Sequence, residues 1–153
     1  IQYRLVITAK EHDKILRRLS LLTILFVYSN CALAAAQPIN IALVGPFTGA
    51  YSAYGTQLLS GATQAVNDLN KAGGLKGVPI EITPIDDQCN PDIALAQAAK
   101  IIKEKRYQAV IGHVCSAATL ATSNLYAQAN LLVITPTSTN TKITQRQDRK
   151  SVV

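Results

Sequence analysis

The chain has no methionine and no tryptophan among its 153 residues. Without a methionine, Ile1 is not expected to be a natural start, and Ile1 to Asp13 are read as upstream sequence. Aromatic residues make up 5% of the chain and are not interleaved with Lys and Arg. No basic stripe is present, so no nucleic-acid partner is expected despite a pI near 9.4. Catalytic and cofactor motifs are also lacking. Gly45-Pro46-Phe47-Thr48-Gly49 has the wrong spacing for a dinucleotide fingerprint and places a proline where the helix should open. Gly74-Leu75-Lys76-Gly77 lacks the spacing and the Lys-Ser/Thr pair of a phosphate loop. Ser116 with His113 has neither the G-x-S-x-G elbow nor an identifiable third group. His113, Cys89 and Cys115 are too few ligands for a metal centre if two of them are consumed by a disulfide. Asp86 and Asp87 are adjacent at a strand end, point to opposite faces and are expected to serve as loop or capping acceptors. No cofactor, no metal and no catalysis are expected.

Both ends look foreign to the fold. Lys14, Arg17 and Arg18 precede the apolar run Leu19 to Val27, and Ala32-Leu33-Ala34-Ala35-Ala36 follows. A basic start, a short apolar core and small residues predict a cleavable secretory signal ending at Ala34 or Ala36. The run is too short to span a bilayer, which takes about 20 apolar residues. A lipid anchor on Cys31 would want small residues directly before it, where Tyr28 and Asn30 stand. At the other end, Asp148-Arg149-Lys150-Ser151-Val152-Val153 reads like the translation of a sequencing adapter. The expected organisation is therefore 1–36 upstream sequence plus signal, 37–147 the folded part and 148–153 a tail.

Removing the ends changes the balance. Residues 35–147 hold eight basic and six acidic groups, so the folded part is nearly neutral. Cys31 leaves with the signal, and Cys89 and Cys115 remain, an even number in a chain bound for an oxidising compartment. A bond between them, if formed, would contribute about 3.5 kcal/mol by loop closure.

From Pro38 onward, short apolar runs alternate with helical patterns. Strands are predicted over Ile39–Gly45, Ile80–Ile85, Ala109–Gly112 and Leu131–Thr135. Helices are predicted over Gly55–Ala72, from Asn90-Pro91-Asp92 to near Arg106, and over Ser116–Gln128. Leu58, Leu59, Ala62, Val66 and Leu69 form the first helix's apolar face, and Gly73-Gly74 ends it. This βαβαβαβ order implies an α/β fold: a parallel sheet with helices on both faces. Right-handed crossovers put every strand's carboxyl end on one edge. The loops Pro46–Tyr54, Asp86–Asn90, His113–Ser116 and Pro136–Asn140 gather there.

Ser116 falls at a helix start, where its hydroxyl is placed either to cap the helix or to hold an anion. Beside it, Pro136-Thr137-Ser138-Thr139-Asn140 is dense in hydroxyls. A small zwitterion fits the pair: Ser116 donates to a carboxylate, while the Thr137 carbonyl and the Thr139 hydroxyl accept from an ammonium.

Six stretches in order carry a family resemblance: Ile41–Pro46, Tyr54-Gly55, Gly73–Gly77, Asp86–Pro91, Ile111–Ser116 and Thr135–Asn140. Together they resemble the leucine/isoleucine/valine-binding proteins of bacterial ABC importers, over about Pro38 to Arg146. The resemblance implies a type I periplasmic-binding-protein lobe, incomplete here, of a two-lobed clamp that closes on an amino acid and performs no chemistry. It implies a Cys89–Cys115 disulfide, Ser116 on the ligand carboxylate, Thr137 on the ammonium, Thr139 at both ends, and Val114 and Tyr54 beside the ligand side chain. Thr137 and Ser138 replace the alanines familiar members carry, which alters the pocket's shape and polarity. A periplasmic location and an inner-membrane ABC permease as partner follow from the same resemblance. An exported amino-acid sensor on the same fold is the rival expectation.

Overall fold

The computed structural model describes residues 37–145 and the backbone of Ser151–Val152. The predicted signal and most of the predicted tail lie outside the described residues. The elements are β1 (Ile39–Gly45), α1 (Ser52–Lys71), β2 (Ile80–Asp86), α2 (Pro91–Glu104), β3 (Tyr107–Ile111), α3 (Ser116–Gln128) and β4 (Leu132–Ile134). A short 3-10 turn, Thr141–Ile143, follows, and Ser151–Val152 forms β5. The strand order is β2-β1-β3-β4-β5, and every pairing is parallel.

The interior strand β1 is buried on both faces, as a parallel strand between two others should be. Ala42 and Val44 point to a core shared with Ala98 and Ile101 of α2, Val110 of β3 and Tyr126 of α3. Leu43 and Gly45 alternate to the opposite face, where Leu58 of α1 approaches Gly45. Helices thus cover both faces, with α2 and α3 on one and α1 on the other. Pro84 sits within β2, which is tolerated because β2 is an edge strand.

Several element ends shift by a residue or more, and three differences from expectation bear on the packing. α1 starts at Ser52 rather than Gly55; Gly55 is instead buried in the first turn, where an added Cβ would overlap the Pro46 carbonyl. Leu69, expected on the buried face of α1, is 48% exposed. The inward stripe steps by four from Ala62 to Val66 to Asn70, and the Asn70 amide takes the inner place by bonding Ile80 through both its oxygen and its nitrogen at 2.8 Å. β3 begins at Tyr107, two residues early, because Tyr107 enters the core. Its register on β1 shifts between Asn40 and Ile41, and the Gln108 side chain accepts from the Asn40 N–H at 2.6 Å. That bulge leaves no period in the sequence.

Candidate ligand-binding site

The site is built from the ends of β2, β3 and β4 on the carboxyl edge. Asp86 and Asp87 close β2 and turn to different neighbours. The Asp86 carboxylate accepts from the Phe47 N–H at 2.8 Å, the Gln88 N–H at 3.1 Å and the Thr48 N–H and hydroxyl. Partial burial raises its pKa, but these hydrogen bonds outweigh it, and the group stays below the ordinary carboxylate value. Asp86 therefore fastens the loop that leads into α1.

Asp87 is fully buried and reaches across the end of β1. Its N–H bonds the Gly45 carbonyl at 3.0 Å, and its carboxylate accepts from Cys89 N–H at 2.9 Å. The second carboxylate oxygen lies 2.6 Å from His113 Nδ1, and both side chains are 0% exposed. The other ring nitrogen is 3.4 Å from the Tyr126 hydroxyl. Burial pushes the Tyr126 phenol well above its usual value, and the Asp87 charge adds to that. The His113 ring thus faces the buried Asp87 and Tyr126, while the Ser116 hydroxyl is engaged by the Thr139 and Asn140 N–H groups, and no hydrogen bond joins Ser116 to His113 among the described residues.

β3 hands over to α3 through Gly112-His113-Val114-Cys115. Gly112 has φ 133°, and a Cβ there would overlap the Val44 carbonyl, so only glycine fits. The Gly112–His113 peptide is cis. Cys115 is the N-cap of α3 and bonds Cys89 in a disulfide with Cα atoms 5.4 Å apart. No side chain of the N-cap residue caps α3. The contrast with α2 is direct, since Asn90 Oδ1 accepts from Asp92 and Ile93 N–H at 2.8 and 3.2 Å.

Ser116 is the first residue of α3 rather than its cap, which corrects the capping alternative. Its hydroxyl oxygen accepts from the N–H groups of Thr139 and Asn140 at 3.2 and 3.3 Å. The helix start and the loop after β4 are thereby joined. Thr137 donates its hydroxyl to the Val114 carbonyl at 2.8 Å. Ser138 is buried and donates to the His113 carbonyl at 3.1 Å, while Thr135 does the same at 3.0 Å. Ser116 and Thr139 are therefore in direct contact, and Thr137 is fastened two residues before Ser116, at Val114. Val114 is buried and packs toward Gly45. Tyr54 is 56% exposed on the first turn of α1, and none of the hydrogen bonds around Ser116 reaches it among the described residues.

The Asp87–His113–Tyr126 network was not foreseen as a unit. A signal was available: Asp87 to His113 and Cys89 to Cys115 are both separated by 26 residues. One parallel offset that aligns the cysteines aligns the other pair.

A parallel sheet with helices on both faces, and with three loops and a hydroxyl-rich segment gathered at its carboxyl edge, defines the class as an α/β lobe. The chain belongs to the periplasmic binding protein family, whose match covers residues 38–148. It is 40% identical over 112 residues to an amino acid binding protein of Pseudomonas aeruginosa, covering 73% of this chain and 30% of that one. It is 41% identical over 123 residues to the Leu/Ile/Val-binding protein of Escherichia coli, covering 80% and 33%. Among solved structures it resembles the branched-chain amino acid transporter substrate-binding protein of Streptococcus pneumoniae in complex with isoleucine. There the TM-score is 0.70 at 30% identity, covering 75% of this chain and 33% of that one. The fold is part of the type I periplasmic-binding-protein architecture, and the family is one of substrate-binding proteins. The chain spans about a third of the length of the curated relatives it matches.

Proposed function

We propose that this chain is part of an exported solute-binding protein that captures a branched-chain or related amino acid and delivers it to an ABC importer. The observation that carries this is the joining of the α3 start to the Pro136–Asn140 loop through the Ser116 hydroxyl. Ser116 offers its N–H and hydroxyl to the carboxylate at the positive end of α3. Thr137, its hydroxyl engaged at Val114, offers its backbone carbonyl to the ammonium, and Thr139 meets both ends. Val114 and Tyr54 stand nearest the ligand side chain. Relatives named for leucine, isoleucine and valine support this ligand class. The remaining ligand contacts come from a second lobe, and closure of the two lobes presents the amino acid to an inner-membrane permease. The export pattern before Ala36 supports a periplasmic location for the event.

Calorimetry of the full-length gene product should show binding of leucine, isoleucine or valine. Ser116→Ala should weaken it roughly ten- to hundredfold, as expected for a lost hydrogen bond to a charged group. Unchanged affinity would leave Ser116 with a loop-fastening role alone.

A further inference from the structure

We propose that His113 is the positioning residue of this amino-acid site: its ring, clamped between Asp87 and Tyr126, fixes the peptide carbonyl from which the Thr135–Ser138 loop hangs. The assignment rests on the amino-acid binding proposed above.

The ring is 0% exposed and has no route to a ligand. Its Nδ1 is held at 2.6 Å by Asp87, and its Nε2 faces the Tyr126 hydroxyl of α3 at 3.4 Å. Asp87 is itself tied to β1 through Gly45 and to the disulfide loop through the Cys89 N–H. The clamp is therefore referenced to the centre of the sheet. The same residue's carbonyl oxygen accepts from the Thr135 hydroxyl at 3.0 Å, the Ser138 hydroxyl at 3.1 Å and the Thr119 hydroxyl at 3.3 Å. Ser138 and Thr119 are also bonded to each other at 2.7 Å. The start of the loop that bears Thr137 and Thr139 is thus registered by a carbonyl whose direction the buried ring sets, while Val114 and Ser116 fasten the loop further along. Ligand groups of this kind work only when a supporting layer holds them within about half an ångström. The disulfide, like the Asp87–His113 contact, ties the loop after β2 to the turn after β3, but it joins at Cys115, beyond that carbonyl, and leaves the carbonyl's direction unset.

The test uses the full-length protein with leucine as probe and compares His113→Gln, Tyr126→Phe and Thr135→Val. His113→Gln should lower affinity roughly tenfold or more, and Thr135→Val should do the same from the far side of the carbonyl. The double variant should lose no more than the worse single variant, because both act through one link. Ile101→Val, in the core of α2, is the control: a lower melting temperature with an unchanged Kd shows that lost stability alone does not loosen the ligand. Amide hydrogen exchange over residues 135–139 in the ligand-free protein should rise in His113→Gln and Thr135→Val but not in the control. Multiplicative losses in the double variant, or a folded His113→Gln with wild-type affinity and wild-type exchange, would overturn the assignment. If His113→Gln fails to fold, Thr135→Val and Tyr126→Phe decide, and wild-type affinity and exchange in both would overturn it. Wild-type protein that binds no amino acid would overturn the proposed function instead, and the exchange comparison would still decide the role of His113.

Discussion

Gly112 shows how a single residue gates the site. Its φ of 133° and the Val44 carbonyl against its missing Cβ leave no room for a side chain. Gly112→Ala should cost on the order of 1–3 kcal/mol, read as a lower midpoint in urea unfolding. Asp86 makes the corresponding electrostatic prediction. Its folded pKa is depressed, so the stability it adds is present above the ordinary carboxylate range and is lost as pH falls through the folded value. Thr48→Ala removes one donor. The Asp86 carboxyl should then titrate closer to its ordinary value by carbon NMR, and the acid-side fall in stability should become shallower. At this scale the sequence was partly legible. Asn90, Ser116 and the cysteines announced themselves by residue type and position. The inward turn of His113 did not, because a histidine at a strand end carries no mark of which partner its ring will find.

The helices were legible as elements and less so in phase. Asn90-Pro91-Asp92 predicts the start of α2, and the Asn90 side chain does accept from the first turn. Asn90→Ala should therefore cost about 1 kcal/mol, measured by thermal unfolding. For α1 the apolar period was right through Val66, and the last turn then presented Asn70 rather than Leu69 inward. A polar residue that can close two hydrogen bonds on Ile80 wins over an apolar one at the sheet's rim. The bulge at Gln108 was invisible because inserting one residue changes no composition and little periodicity. Between elements, the disulfide closes the β2-to-α3 span. Its reduction should lower stability by about 3.5 kcal/mol, seen as a lower denaturation midpoint in reductant with the native signal still present in its absence.

As a whole, the described residues make part of a type I periplasmic-binding-protein fold. The alternation of strands and helices predicts the parallel sheet, its carboxyl edge and the loops on it, since crossover handedness leaves few topologies. The completeness of the apolar cover could not be read that way. Leu132 and Ile134 of β4 are each 41% exposed, and α1 buries only Gly55 fully. An isolated 37–145 segment is therefore expected to bind a hydrophobic dye such as ANS and to bind leucine far more weakly than the full-length protein. Leucine affinity in the segment equal to that of the full-length protein would overturn the two-lobe account.

Pro84 has a consequence for how this sheet meets other chains. A strand arriving beside β2 would find there a residue with no N–H to donate and, three positions earlier, the exposed charge of Glu81. Both features discourage edge-to-edge pairing between copies. On the opposite side β5 of the same chain already lies beside β4, so the two sides of the sheet differ: one is extended by the chain itself, and along the other a neighbour cannot pair easily.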